Sequence, residues 1–342
     1  MGDLIMKDKV FIDSSLPQWK GNVHMHTIRS DGKLTPPELA GKYKNLGYNF
    51  IVISDHEVYW DSEELDSDGF LVLGGTESSI SMDRDNPWLL EYRAGYSHRA
   101  QHFGVIKDPT MSKDGQKFVH DQFVPRVFDR GIDTWNYAVQ YLKDHGNIVF
   151  INHADWSRLT PELMMATYGC FAMEIWNSGN VEYCGGRDDS YIWDYLLRYG
   201  RRIFAIAGDD AHIAGAALGD SFNMVQCPKL TREGLVDAFK RGAFYASCGP
   251  VFKDIRVEDG ILKMDFSPVR RVEVVAYDGE GNSKYGVDNL IEHYEWPIKP
   301  YFKYIRPFIT DDRGRTAWAQ PIFIDELNDA PVFRMDSNVL KK

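Results

Sequence analysis

Cysteine is scarce in this chain: four residues in 342, Cys170, Cys184, Cys227 and Cys248. No pair stands in a Cys-x-x-Cys spacing, so neither a thiolate zinc site nor a disulfide framework is indicated, and a reducing, cytoplasmic setting is expected. Basic charge is also short. Lysines and arginines number 39 against 50 aspartates and glutamates, for a net charge of −11. Such a balance offers long nucleic acid nothing to hold. A small anionic substrate stays possible, because bound divalent cations invert a local field. No run approaches the roughly 18 apolar residues of a membrane span, so no membrane partner is expected. The stretch from Met1 to Trp19 is interrupted by Asp3, Lys7, Asp8, Lys9 and Asp13, which argues against an apolar secretion segment. Internal repeats and low-complexity tracts are missing as well.

What is present belongs to a packed protein. A hydrophobic fraction of 44% and an aromatic fraction of 13% are outside the disordered range. The length suffices for one large domain or two ordinary ones. Strand-like and helix-like stretches alternate through the first two-thirds. Val23 opens a short strand running into His24 and His26. Thr35-Pro36-Pro37-Glu38 reads as a helix start, with an N-cap threonine, proline at the first helical position and an acid in the first turn. Phe50–Ile53, Phe70–Leu73, Ile148–Ile151, Phe171–Ile175 and Ile203–Ile206 are apolar runs of strand length. Asp133–Lys143, Tyr191–Leu197 and Thr231–Arg241 are helix-like. Continuous apolar strands between helices predict a parallel sheet covered on both faces, for which a closed barrel is one solution. A long polar insertion spans about 78–133. After Gly249-Pro250 the helical signals fade and short alternating runs take over: Val272–Tyr277, Phe302–Ile309 and Pro321–Ile324. The expected division is therefore 1–250 for an α/β part and 251–342 for a small antiparallel, sandwich-like domain with a C-terminal extension.

Candidate chemistry sits just past the strand ends. His24-Met25-His26 places two imidazoles on one side of an extended segment. Asp31 follows in a Ser30-Asp31-Gly32 turn. Then come Asp55-His56, Glu77, His102, Asn152-His153 and Asp210-Ala211-His212. Imidazole and carboxylate donors suit zinc, manganese and iron. Six histidines and three acids at successive strand ends do not read as a solvated surface.

Taken in order, these stretches resemble the polymerase and histidinol phosphatase (PHP) superfamily: His24-Met25-His26-Thr27, Ser30-Asp31-Gly32, Ile53-Ser54-Asp55-His56, Gly74-Gly75-Thr76-Glu77, His102-Phe103-Gly104, Asn152-His153 and Gly208-Asp209-Asp210-Ala211-His212. The segment from Leu230 to Pro250, with Gly314–Ile322, resembles the CehA/McbA branch, which carries a small β domain behind its barrel. The resemblance implies a distorted seven-stranded (β/α) barrel and two or three divalent ions. By position, His24, His26, Glu77 and Asp210 would hold one ion. Glu77, His102 and His153 would hold a second, so that Glu77 bridges. Asp31, His56 and His212 would hold a third. His98, four residues before His102, is the rival for that position. Asp209 stands where the family has a small residue; with Asp55 it is expected to support the ligands from behind.

The chemistry implied is hydrolysis of a phosphomonoester or small phosphodiester by a metal-bridging hydroxide, held through Glu77 and Asp210, with no serine or cysteine nucleophile. Arg158, Arg187 and Arg29 are candidates to clamp a phosphate, and Asn177 to line the pocket. Trp156 and Trp176 could stack an aromatic group. Glu174 has no assigned role. One alternative is a carbamate or carboxyl ester hydrolase. Another is a carbohydrate- or protein-binding module in the C-terminal β domain, with Trp296, Trp318 and Tyr301 as a stacking face. The sequence assigns no oligomeric state.

Overall fold

The computed structural model describes residues 6–61, 63–81, 100–111, 132–328 and 331–333. Two strands open it, β1 (Lys9–Ile12) and β2 (Gln18–Asn22), followed by α1 (Pro36–Asn45), β3 (Phe50–Val52), β4 (Leu71–Leu73), β5 (Gly75–Ser81) and β6 (Ala100–Lys107). Next come α2 (Asp133–Asp144), β7 (Asn147–Ile151), α3 (Pro161–Met165), β8 (Ala172–Asn177), α4 (Ser190–Arg198), β9 (Phe204–Gly208), β10 (Phe222–Gln226), α5 (Arg232–Arg241) and β11 (Phe244–Ser247). The remainder is built on strands: β12 (Phe252–Glu258), β13 (Ile261–Val269), β14 (Arg271–Ala276), β15 (Gly281–Tyr285), β16 (Ile291–Pro297), β17 (Tyr304–Thr310), β18 (Thr316–Ala319) and β19 (Ile322–Phe323).

Local sequence explains the helix ends. Thr35 starts α1 in an extended conformation, and Glu38 accepts from the Thr35 backbone N–H at 2.8 Å, forming a capping box. Thr231 caps α5 by accepting from Gly234 N at 3.0 Å, and Gly242 stops that helix with φ +73°. The apolar face expected for Asp133–Lys143 is real: Trp135, Ala138, Val139 and Leu142 are all buried.

The strands form a mixed α/β fold, and among the described residues their pairing does not show the expected seven-stranded (β/α) barrel. β2, β3 and β4 pair in parallel, as do β7, β8 and β9. Between these sets, β5–β6 and β6–β7 pair antiparallel. Parallel neighbours need a crossover connection, whereas antiparallel neighbours do not. The insertion between β5 and β6 conceals this from a sequence reading, because it leaves no helix signal to count. The strand expected from Val23 in fact ends at Asn22, one residue short of the histidines.

Hydrogen bonding continues across residue 250. β10 pairs with β2 and β11, and β11 pairs with β18, so one ten-stranded sheet runs from β4 to β15. A second sheet, ordered β1-β12-β13-β16, draws its edge strand from the start of the chain. These sheets share one apolar core, with Ile12, Ile255, Leu262 and Phe266 against Val272, Ile305 and Ile309. That is a sandwich in which alternate residues point inward. A separate core beneath the site joins Phe50, Val52, Ile106, Phe150, Ile206 and Phe239. Its rings need space: a Cβ on Gly104 would lie 2.0 Å from the Phe150 ring. Among the described residues, no helix is long and apolar enough to cross a membrane.

Candidate metal centre

The site is assembled where two extended segments meet. Met25 and Ala211 form a parallel bridge; His26 N donates to Ala211 O and Asp210 N donates to His24 O, both at 2.9 Å. Met25 and Ala211 are buried at the bridge. Alternation then sends His24 and His26, with Asp210 and His212, toward a shared mouth. Asp210 sits at φ +53°, an uncommon conformation for a residue with a side chain and one that concentrates at functional sites.

Glu77 occupies the centre. It is fully buried, and five imidazoles converge on its carboxylate. Its Oε2 lies 3.3 Å from His24 Nε2, 3.3 Å from His26 Nε2 and 3.1 Å from His56 Nδ1. Its Oε1 lies 2.9 Å from His102 Nδ1 and 3.1 Å from His153 Nε2, and accepts from Asn152 Nδ2 at 2.7 Å. Asp210 Oδ1 faces the same first pair, 3.3 Å from His24 Nε2 and 3.0 Å from His26 Nε2. Asp31 gathers a third group, 3.3 Å from His212 Nε2 and 3.7 Å from His56 Nε2. Four overlapping sets have donor atoms close enough to share a cation: His24, His26 and Glu77; His24, His153 and Asp210; His56, Glu77 and His102; and His26, Asp31, His56 and His212. All nine residues singled out as ligands therefore lie together. His102 is at the site; His98 lies outside the described residues.

These residues fit a metal cluster on the structure's own terms. Among the described residues, His24 Nε2, both ring nitrogens of His26, and Glu77 Oε2 are buried with no hydrogen bond of good geometry, only close contacts to one another and to Asp210 and Asp31. Buried polar atoms are normally satisfied, and a divalent cation would satisfy these at once. The electrostatics agree. Burial would raise the Glu77 carboxyl, but His24, His56 and His102 hold it well below the ordinary carboxylate range. Asp210 is likewise held low against burial by His24 and His26. Burial opposes charge on His26, yet Asp210 and Glu77 push it up to about 10. Burial brings His56 down to about 3. Protons and cations thus compete for the same negative cluster.

Asp55 accepts from Thr27 N at 2.7 Å, Ser30 Oγ at 2.8 Å and Thr27 Oγ1 at 2.6 Å, fixing the turn that presents Asp31. Asp209 accepts from Tyr43 OH, Gly219 N and Ser221 N at 2.7, 2.6 and 2.8 Å, so it anchors the loop behind His212 rather than a ligand. Burial pushes its carboxyl up to about 7. Glu174 went unassigned in the sequence, yet it accepts from His24 Nδ1 and from His153 N. Ser157 and Ser79 lie 3.2 Å from the second nitrogens of His153 and His102. No sequence spacing marks such partners, because each is defined by a contact made only on folding.

A cavity of about 520 Å³ opens over the centre. Its walls include Trp156, Tyr183, Ile213, Ala216 and Ala217 beside the candidate ligands, and no lysine or arginine among the described residues. The three arginines considered for a clamp turn elsewhere. Arg158 is 70% exposed and lies 3.7 Å from Asp155. Arg187 is exposed, and Arg29 stacks on Trp60. Long charged side chains keep their heads in water unless a partner compensates burial. Asn177 is not in the cavity wall; it donates to Glu174 and Asp210. Trp156 packs edge-on to His153, ring centres 5.0 Å apart, whereas Trp176 packs on Trp318. In the C-terminal strands Trp296 and Trp318 are buried and Tyr301 is bound to Glu280, so these rings do not form an exposed stacking face.

No family model matches the chain, and no curated protein does. Solved structures do. One is from Bifidobacterium adolescentis, a protein whose assignment as a metal-dependent phosphoesterase is itself an inference: 16% identity, 56% of this chain and 87% of that one, TM-score 0.38. A two-domain protein from Bacteroides vulgatus, containing a predicted PHP-like metal-dependent phosphoesterase, is 12% identical over 94% of this chain and 91% of that one, TM-score 0.42. An amidohydrolase from Chromobacterium violaceum is 14% identical over 58% and 89%, TM-score 0.35. The chain is thus similar to two proteins described as phosphoesterases and to an amidohydrolase.

Proposed function

We propose that this chain is a metal-dependent hydrolase of the PHP type, acting on a phosphoester through two or three divalent ions. The observation that carries the reading is Glu77: one buried carboxylate whose two oxygens face two different groups of imidazoles. A carboxylate can bridge two cations with its two oxygens. His24, His26, Glu77 and Asp210 would hold one ion, Glu77, His102 and His153 a second, and Asp31, His56 and His212 a third. Bound divalent ions bring water toward ionisation at neutral pH, orient the ester and neutralise charge that develops during displacement. The chain's own part is to keep these donors fixed. Asp55 holds the Asp31 turn, Asp209 holds the loop behind His212, and Asn152 steadies Glu77. The core below excludes water from one side.

A second reading is favoured by the cavity wall. With Trp156, Tyr183 and Ile213 present and no cationic side chain among the described residues, a carbamate or carboxyl ester also suits the space. Metal analysis of protein purified without chelator, joined to a panel of phosphomonoesters, phosphodiesters, carbamates and carboxyl esters, separates the two. Turnover of a phosphoester supports the first reading; bound metal with every phosphoester inert and a carbamate or carboxyl ester cleaved transfers the assignment to the second.

A further inference from the structure

We infer that Glu174 is a positioning residue of this centre, fixing which nitrogen of His24 is offered to an ion and tying that histidine to Asp210 through Asn177. The inference rests on the metal-dependent reading and deepens it.

Glu174 is almost wholly buried, yet among the described residues no lysine or arginine pairs with it. Its Oε1 lies 3.0 Å from His24 Nδ1, and its Oε2 accepts from His153 N at 2.9 Å and from Asn177 Nδ2 at 3.0 Å. Burying a carboxylate without a cation is costly, and a neutral side chain of that size would pack at less cost. The position makes sense if its charge is needed. His24 Nε2, on the far side of the ring from Glu174, lies 3.3 Å from both Glu77 Oε2 and Asp210 Oδ1. With an ion bound there, the contact to Glu174 would hold the ring proton on Nδ1 and leave Nε2 to face the ion. Carboxylate–histidine–metal chains of this type orient the ring and raise its basicity.

The backbone is built to allow this. Residues 174 and 177 are an odd number apart, so a regular strand would point them to opposite faces. β8 shifts register against β9 between Glu174 and Trp176. One extra residue at that bulge turns Glu174 and Asn177 onto the same face. Asn177 then reaches Asp210 Oδ2 as well, at 3.2 Å. Gly208, opposite Asn177 on β9, clears the space: a Cβ there would fall 2.0 Å from Glu174 Oε1 and 2.7 Å from His24 Cβ.

The test compares the full chain with Glu174→Gln, Glu174→Ala and Gly208→Ala, each stripped of metal and titrated with cobalt(II) and zinc. The readouts are ion affinity and stoichiometry, the cobalt visible spectrum, and the shifted exchangeable imidazole N–H signal of the cobalt protein in NMR. Glu174→Ala is expected to weaken ion binding by about 10- to 100-fold and to lose one N–H signal. Glu174→Gln keeps an acceptor for His24 and should retain the signal with a smaller loss. If Glu174→Ala does not fold, Gly208→Ala reads the same displacement with the carboxylate still present. Folded variants with unchanged affinity, spectrum and N–H signal would overturn the positioning role alone. A wild-type chain that binds neither ion would overturn the metal-dependent reading and this inference with it.

Discussion

Around the candidate centre, polar groups are buried in and just beyond the strands: His24, His26, Asp55, Glu77, Asn152, Glu174 and Asp209 are each 1% exposed or less. Beyond residue 250 the pattern is the opposite. There β13 and β14 alternate inward Leu262, Met264, Phe266, Val272, Val274 and Ala276 with outward polar residues, and the buried polar residues described are Asp254, Asp311, Gln320 and Asn328. The contrast shows where each region's stability comes from. The sandwich gains from apolar area removed from water. The centre instead concentrates buried charge, which costs stability unless protons or cations balance it.

The sharpest way to break the contrast is Glu77→Gln. The change keeps volume and removes the charge that five imidazoles share. Ions in such sites supply several kcal/mol of transition-state stabilisation, so a loss on the order of a thousandfold in kcat is expected while circular dichroism stays native. Near wild-type turnover with full metal content would mean that Glu77 is not the bridging ligand. The complementary change is Phe266→Ala in the sandwich core. Truncating a buried phenylalanine should cost ~3–5 kcal/mol in denaturant unfolding, with ion content per folded molecule unchanged. Loss of ions from the folded variant would show that the two regions are energetically joined at the centre. The smallest effect on stability is expected from ion removal from the wild type. Chelation should lower the melting temperature and end turnover, and re-addition at ~100 times Kd should return about 2.7 kcal/mol. A chelated protein with an unchanged melting temperature and full activity would leave the buried histidines as structure alone.

Much of the centre was legible in sequence because histidines and acids recur beside short apolar runs, although the structure places Glu77 and His102 within β5 and β6 rather than past a strand end. The nine candidate ligands converge. The start of α1 was legible too, through Thr35 and Glu38, since capping is chemistry between near neighbours. The antiparallel step at β5–β6 was hidden by the intervening insertion. Strands β12, β13 and β16 carry a similar alternation but were not read from the sequence.

The amino-acid sequence by itself determined which donors exist and in what order they follow one another among the strands, because periodicity and capping act over a few residues. Tertiary structure alone decided how those donors are supported. It turned Glu174 onto His24 through a bulge, sent Asp55 and Asp209 to brace loops, left Arg158 and Arg187 in solvent, and gave β1 to a sheet built 240 residues later. Each of those outcomes is a contact between segments remote in sequence, and burial and pairing energies choose such contacts only when the whole chain is packed.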